Sequence, residues 1–189
     1  IRMDAQKLGL PVINETNRYR MQLSEIQVVD AEGNNLAKGK KVLVSPEEML
    51  PASWRAENLT DGYIMNTPLL GATTTAQESQ TPSVPCYVEI DLGEEKRVNG
   101  VVIYPRMDTP AESDATSCAN FPQNFTISIK RDNDSSWHTE YTATDFSVPD
   151  FKTPYDPNLT AFGTSLNLGK PTKKARMYAS GAGVFELRI

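Results

Sequence analysis

The stretch Tyr87-Val-Glu-Ile-Asp-Leu92 decides the fold class of this chain, because it alternates apolar and polar residues along one short run. Val88, Ile90 and Leu92 fall on one face of an extended strand, and the polar residues fall on the other. Such alternation is typical of a strand with one face against a core and the other toward water. The sequence therefore predicts a sheet protein.

The next apolar run supplies a partner for this strand. Residues 98–104 are almost continuously apolar and end at Pro105, and a short polar link over residues 93–97 joins them to the first run. We expect the two runs to form an antiparallel hairpin.

Further strands are predicted both upstream and downstream. They are placed at residues 23–29, 41–45, 125–130, 137–142, 175–179 and 184–189. Helical periodicity is nearly absent, and the best candidate is a single turn at residues 46–50. An all-β sandwich over residues 23–189 follows, with the polar and weakly periodic residues 1–22 predicted as a linker or N-terminal arm.

Composition and charge exclude several classes of function. The 189 residues carry a formal charge of −5 with a pI near 5.0, so the field of the protein would repel nucleic acid. The single histidine, His138, excludes metal sites built from several histidines. No apolar run approaches the ~20 residues that cross a bilayer, so membrane insertion is not expected. The chain opens at Ile1 without a signal pattern, which is typical of a mature protein or of a piece of a longer one.

Six motifs occur in a recognisable order. They are Asn35–Val42, Ala56–Gly62, Tyr87–Gly93, Val98–Arg106, Phe121–Ile129 and a polar turn that ends at Trp137. Together they resemble the discoidin or coagulation factor 5/8 type C family, which overlaps the galactose-binding-like carbohydrate-binding modules. The resemblance implies a jelly-roll β-sandwich of about eight strands.

The version of the motifs in this chain most resembles modules appended to bacterial glycoside hydrolases such as α-L-rhamnosidase-like enzymes. This implies a non-catalytic carbohydrate-binding accessory module of a larger glycan-degrading protein, located outside the cytoplasm in the periplasm, at the cell surface or in the medium. The alternative is a structural docking or spacer domain that packs against a neighbouring catalytic domain. An independent enzyme is the weakest interpretation, because the candidate carboxylates Asp108, Glu112 and Asp114 lie in a stretch typical of a solvated loop.

The resemblance also implies a structural calcium ion held by the Asp-Gly loop and the final strand. The residues carried over as ligands are Asn58, Asp61, Tyr63, Asn66, Thr67, Phe185 and Glu186. Carboxylate, carbonyl and hydroxyl oxygens of this kind suit calcium. Two alternatives stay open: Asp61-Gly62 is a simple turn without an ion, or Glu25 in the similar stretch Leu23–Val28 takes the place of Glu186.

A sugar site needs an exposed aromatic ring and a few planar polar side chains. The candidates are Trp54, Tyr63, Arg106, Asp108, Tyr155 and Phe162. Trp54 either packs in the core or presents its ring to a sugar. Arg106 either binds ligand or anchors Asp108. Trp137 is expected in the core, where the family buries a tryptophan.

The predicted hairpin indicates where the two cysteines lie in the sandwich. Cys86 precedes its first strand and Cys118 follows its second, so both would fall at one end of the sandwich. They would then form a disulfide, which implies export, or remain two free thiols.

Overall fold

Antiparallel sheets make up most of the part of the chain that the computed structural model describes, residues 1–47, 53–64, 71–106 and 108–150. The strands are β1 (Arg2–Lys7), β2 (Gln22–Val29), β3 (Lys41–Ser45), β4 (Ala72–Thr73), β5 (Cys86–Asp91), β6 (Gly100–Pro105), β7 (Pro110–Ala111), β8 (Asp114–Cys118), β9 (Asn124–Ile129) and β10 (His138–Ala143). A 3-10 helix covers Ala56–Thr60, and the described ranges contain no α-helix.

The strands form two main sheets that share one core. The first has five strands in the order β10-β9-β1-β5-β3, the second has three in the order β4-β2-β6, and β7 pairs with β8 separately. Met3, Val88 and Ile127 from the first sheet join the same buried cluster as Ile26 and Val28 from the second. The prediction of an all-β sandwich is therefore confirmed.

The expected hairpin between residues 87–92 and 98–104 is wrong. β5 pairs with β1 and β3, whereas β6 pairs with β2 in the other sheet, so the polar link between them crosses from one sheet to the other. Alternation shows that a strand has an inward face but not which sheet it joins. The predicted return of residues 137–142 along residues 125–130 is confirmed, because β10 pairs with β9.

The first residues of the chain form a central strand rather than an arm. β1 lies between β5 and β9, and its inward residues Met3 and Ala5 are buried together with Leu8. Tyr19 also exchanges two backbone hydrogen bonds with Gln77, at 2.9 and 2.7 Å. Only a methionine and an alanine mark the inward face of β1, so the sequence pattern there does not indicate a strand.

The outer face of the five-stranded sheet holds a cluster around Arg2. The Arg2 guanidinium pairs with Asp4 and lies 3.7 Å from the centroid of the Tyr87 ring and 5.8 Å from that of Trp137. Arg2 and Met3 point to opposite faces of β1, so the half-buried Trp137 lies outside the core. The expectation of a core tryptophan at this position is wrong.

Some predicted elements lie outside the described residues. These are the strands at residues 175–179 and 184–189 and most of the turn at residues 46–50. Within the described ranges, no helix is long and apolar enough to cross a membrane.

Candidate functional site

The 3-10 helix and the turn that follows it cover the outer face of β2. Leu59 of the helix and Glu25 of β2 are both fully buried at this contact. The backbone N–H of Gly62 donates to Glu25 Oε1 at 3.2 Å, and Gly62 has a φ of +93°. Glycine adopts this conformation without the steric penalty that a Cβ would add. The turn after the helix is thereby fastened to the carboxylate of Glu25.

Two buried carboxylate oxygens, one in β2 and one in the turn after the helix, have no hydrogen-bond partner among the described residues. They are Oε2 of Glu25 and Oδ2 of Asp61. The other oxygen of Asp61, Oδ1, accepts the N–H of Tyr63 at 2.7 Å. Buried polar atoms are normally paired, and an unpaired carboxylate oxygen costs more than a neutral one. The pair Glu25–Asp61 therefore has free coordination capacity.

The pKa values of both acids reflect this burial. Burial raises the pKa of Glu25 to about 8; the N–H of Gly62 and the charge of Lys38 lower it, whereas the charge of Asp61 raises it further. Burial also raises the pKa of Asp61, against the hydrogen bond from Tyr63. A buried carboxyl group on which the charge of a second acid acts is a place where a cation binds well.

The calcium ligands implied by the resemblance divide into two groups. Asp61 immediately precedes Gly62, the donor to Glu25, which is the alternative glutamate. Asn66, Thr67, Phe185 and Glu186 lie outside the described residues. The Asn58 side chain donates to the carbonyl of Gly71 at 3.1 Å and so anchors the loop. The Tyr63 side chain is 57% exposed.

The donor set fits calcium. Glu25 and Asp61 supply two carboxylates with unpaired buried oxygens. In the described part of the chain, no group of three or more histidine, cysteine, aspartate or glutamate side chains is arranged so that it could hold a metal ion. Carboxylate oxygens of this kind are among the ligands that calcium accepts.

A second cluster brings together three of the residues predicted for sugar binding. The Arg106 Cζ atom lies 4.9 Å from the centroid of the Trp54 ring. Arg106 forms a forked pair with Asp108, with Nε to Oδ1 at 2.5 Å and Nη2 to Oδ2 at 2.8 Å. Trp54 is half-buried beside this ion pair.

Two buried amides that the sequence did not indicate support the cluster. Arg106 Nη1 donates to Gln22 Oε1 at 2.5 Å, and Asn120 Nδ2 donates to the same oxygen at 2.6 Å. Gln22 is 2% exposed and Asn120 is fully buried. Arg106 therefore anchors Asp108, one of its two predicted roles. Asn120 has a φ of +58°, a conformation that asparagine tolerates better than most residues. Neither this angle nor the hydrogen bonds of Asn120 can be read from the sequence.

The remaining candidates are separate from these clusters or undescribed. Tyr155 and Phe162 lie outside the described residues. Glu112 accepts from Thr16 at 3.1 Å, and Asp114 accepts from Thr116 and Ser117. The partner of Glu112 lies 96 residues earlier in the chain, and Asp114 begins β8, which pairs with β7. The expectation of a solvated loop at Asp114 is therefore wrong.

Both cysteines are buried free thiols in the structure. Gln77 Nε2 donates to Cys86 Sγ at 2.9 Å, and Cys118 Sγ lies 3.5 Å from the carbonyl of Asp150. Burial raises the pKa of both thiols, that of Cys118 to about 11. The hairpin that would have placed them together is absent, so the structure has the free-thiol alternative.

Comparison with known proteins identifies a family over more than half of the chain. Residues 58–159 match the family model described as NedA-like, galactose-binding domain. The match begins in the 3-10 helix and includes Asp61, Arg106 and Asp108, whereas Glu25 and Trp54 precede it. No curated protein and no solved structure matches the chain.

Proposed function

Since the chain belongs to the NedA-like, galactose-binding domain family, we propose that it is a carbohydrate-binding module with no catalytic activity of its own. The cluster of Trp54, Arg106 and Asp108 carries this proposal. Sugars are held by an aromatic ring that contacts their C–H groups and by planar polar groups that bind their hydroxyls. Trp54 supplies the ring, and Asp108 keeps acceptor capacity beyond its two bonds to Arg106.

The charge of the cluster indicates the class of sugar. Arg106 already donates to Asp108 and Gln22 through Nε, Nη1 and Nη2. A guanidinium with these three nitrogens already engaged has few donors left for the carboxylate of an acidic sugar. The negative charge of Asp108 would also repel that carboxylate. A neutral sugar such as a galactoside fits the cluster better.

We also assign a structural calcium ion to Glu25 and Asp61. When bound, the ion supplies the positive charge that the two carboxylates lack. Glu25 would hold it from the rigid strand β2, and Asp61 would hold it from the turn after the 3-10 helix. Trp54 lies just before that helix, so fastening the turn to β2 also limits the movement of the indole ring.

The module would serve a larger bacterial glycan-degrading protein outside the cytoplasm. Polysaccharides are encountered there, and extracellular modules bind calcium at the concentrations found there. The resemblance of the motifs to modules of bacterial glycoside hydrolases supports this assignment. Docking against a neighbouring domain without a ligand is the competing role.

Binding to a panel of immobilised glycans tests the proposal. The panel should contain neutral galactosides, other neutral hexosides and sialylated or uronic-acid glycans, and each hit should be measured by titration calorimetry. We expect neutral glycans to bind and acidic ones to bind much more weakly. If nothing binds at about millimolar concentration, which corresponds to about −4 kcal/mol, the docking role replaces this one.

A further inference from the structure

Gln22 and Arg106 lie side by side at one end of the pair formed by β2 and β6. Leu23 is paired with Pro105 in this antiparallel register, and Gln22 precedes Leu23 whereas Arg106 follows Pro105. The side chain of Gln22 is buried, and its Oε1 accepts from Arg106 Nη1 at 2.5 Å. The pairing of the two strands therefore sets where this oxygen meets the guanidinium.

Asn120 holds the same oxygen of Gln22. Asn120 Nδ2 donates to Gln22 Oε1 at 2.6 Å, and the backbone N–H of Gln22 donates to the carbonyl of Asn120 at 3.1 Å. A guanidinium has donors but no acceptor, so only the oxygen of the Gln22 amide can face Arg106. The Asn120 amide must then present its nitrogen to that oxygen. The three side chains thus fix one another's orientation.

The bond to Gln22 ties the Arg106–Asp108 ion pair to the sheet. Asp108 accepts from Arg106 Nε and Nη2, but it lies only two residues further along the chain, so the two side chains can move as a unit. Among the described residues, Gln22 is the one hydrogen-bond acceptor of Arg106 outside this short segment. Without it, the ion pair beside the Trp54 ring would have no hydrogen bond to β2.

We propose that Gln22 is a positioning residue of the glycan site. Its amide oxygen holds the Arg106–Asp108 ion pair beside the Trp54 ring, so the carboxylate is in place before a sugar arrives. An ion pair free to move would have to be ordered on binding, and that ordering costs affinity. The positioning role deepens the proposed function and rests on it, whereas the contact between Gln22 and Arg106 does not.

Three substitutions separate the oxygen of Gln22 from its volume. Gln22→Met keeps the length of the side chain but removes the acceptor, so Arg106 Nη1 and Asn120 Nδ2 lose their partner. Gln22→Glu retains an acceptor oxygen for both donors. Gln27→Met is the matched control, because Gln27 is half-buried in the same strand and its side chain forms no hydrogen bond among the described residues.

The contact with Arg106 is tested without sugar, by thermal unfolding at about pH 7. We expect Gln22→Met to lower Tm by about 3–6 °C and Gln27→Met by about 1 °C or less. In an Arg106→Met background, Gln22→Met should cost about half as much, since only the Asn120 donor still loses a partner. The same loss of Tm in both backgrounds overturns the coupling on which the role depends.

The positioning role is tested by titration calorimetry well below the Tm of every variant. The probe is methyl β-galactoside, or the tightest neutral glycan of the panel if wild type does not bind methyl β-galactoside. We expect Gln22→Met to weaken binding about five- to tenfold, Gln22→Glu to restore it to within about threefold of wild type, and Gln27→Met to match wild type.

A purely structural role of Gln22 would lower Tm without changing the affinity of the folded protein. Wild-type affinity in Gln22→Met therefore overturns the positioning role, and so does an equal loss in Gln22→Glu. If wild type binds no neutral glycan although the unfolding experiment shows the coupling, the proposed function fails and the positioning role fails with it, while the contact between Gln22 and Arg106 stands.

Discussion

Gly62 donates its backbone N–H to Oε1 of Glu25 at 3.2 Å and so joins a turn to a strand 37 residues earlier in the chain. The bond satisfies one oxygen of a fully buried carboxylate and leaves Oε2 without a partner among the described residues. It also brings Asp61 next to Glu25. Burial raises the pKa of Glu25, and this contact lowers it in part.

Calcium-free protein should become less stable as the pH rises. The pKa of Glu25 is about 8 in the folded state against an ordinary value of 4.5, so the folded state binds the proton more strongly between these values. The contribution of Glu25 to the free energy of unfolding is therefore present below pH 4.5 and is lost as the pH rises through 8. Glu25→Gln should flatten this part of the profile. Urea unfolding in chelator between pH 4.5 and 8 measures how the free energy of unfolding changes with pH. The same change in wild type and Glu25→Gln would contradict the prediction.

Calcium should stabilise the protein through Glu25 and Asp61. At about ten times its Kd, calcium should raise Tm by about 3–5 °C in wild type and by much less in Glu25→Gln or Asp61→Asn. Glu57→Gln is the matched control, because Glu57 is an exposed acid of the same 3-10 helix. Calcium binding should also tighten from about pH 6 to 8, since Glu25 must lose its proton. A full calcium response in both site variants would refute the assignment.

The glycan site should depend on Trp54 and not on Trp137. Both tryptophans are half-buried and lie beside an arginine, but Trp137 is on the outer face of the five-stranded sheet. Trp54→Ala should weaken glycan binding about tenfold or more, because it removes the stacking ring. Trp137→Ala should leave affinity within about twofold, with circular dichroism as the check on folding. Equal losses in the two variants would point to a different site.

Gly71 should tolerate no side chain. Its φ is +106°, and a Cβ atom would lie 1.9 Å from the carbonyl oxygen of Leu23. Gly71→Ala should cost about 3 kcal/mol or more in free energy of unfolding, because the backbone of β2 must move. Gly39→Ala is the comparison: φ is +69° with nothing within 4 Å, so only the conformational cost of about 1 kcal/mol applies. Urea denaturation distinguishes the two, and similar losses would contradict the steric argument.

The two thiols should be present but unreactive in the folded protein. Cys86 and Cys118 are each 1% exposed, and burial raises the pKa of both, so little thiolate is available. A thiol reagent such as dithionitrobenzoate should react slowly with native protein and rapidly with both cysteines after denaturation without reductant. Absence of reactive thiols in the denatured, non-reduced sample would show that they are bonded.

Much of the local structure could be predicted from the sequence. Alternating residues located β5, β9 and β10, and the pair Asp61-Gly62 located a turn, because each signal is contained within a few neighbouring residues. The ion pair of Arg106 and Asp108 was also foreseeable from their separation of two residues. The support from Gln22 and Asn120 was not, since these amides are 98 residues apart and nothing local marks them as partners.

The sequence by itself determined the all-β fold class and the acidic net charge. Side-chain alternation and composition are local properties that do not depend on tertiary contacts. Only the tertiary structure decided that β1 lies at the centre of a sheet, that β5 and β6 belong to different sheets, and that Glu25 binds the turn after the 3-10 helix. Strand pairing and burial are properties of the assembled sandwich. Burial in turn decides whether a glutamate is an ordinary surface charge or, like Glu25, an acid whose pKa is raised.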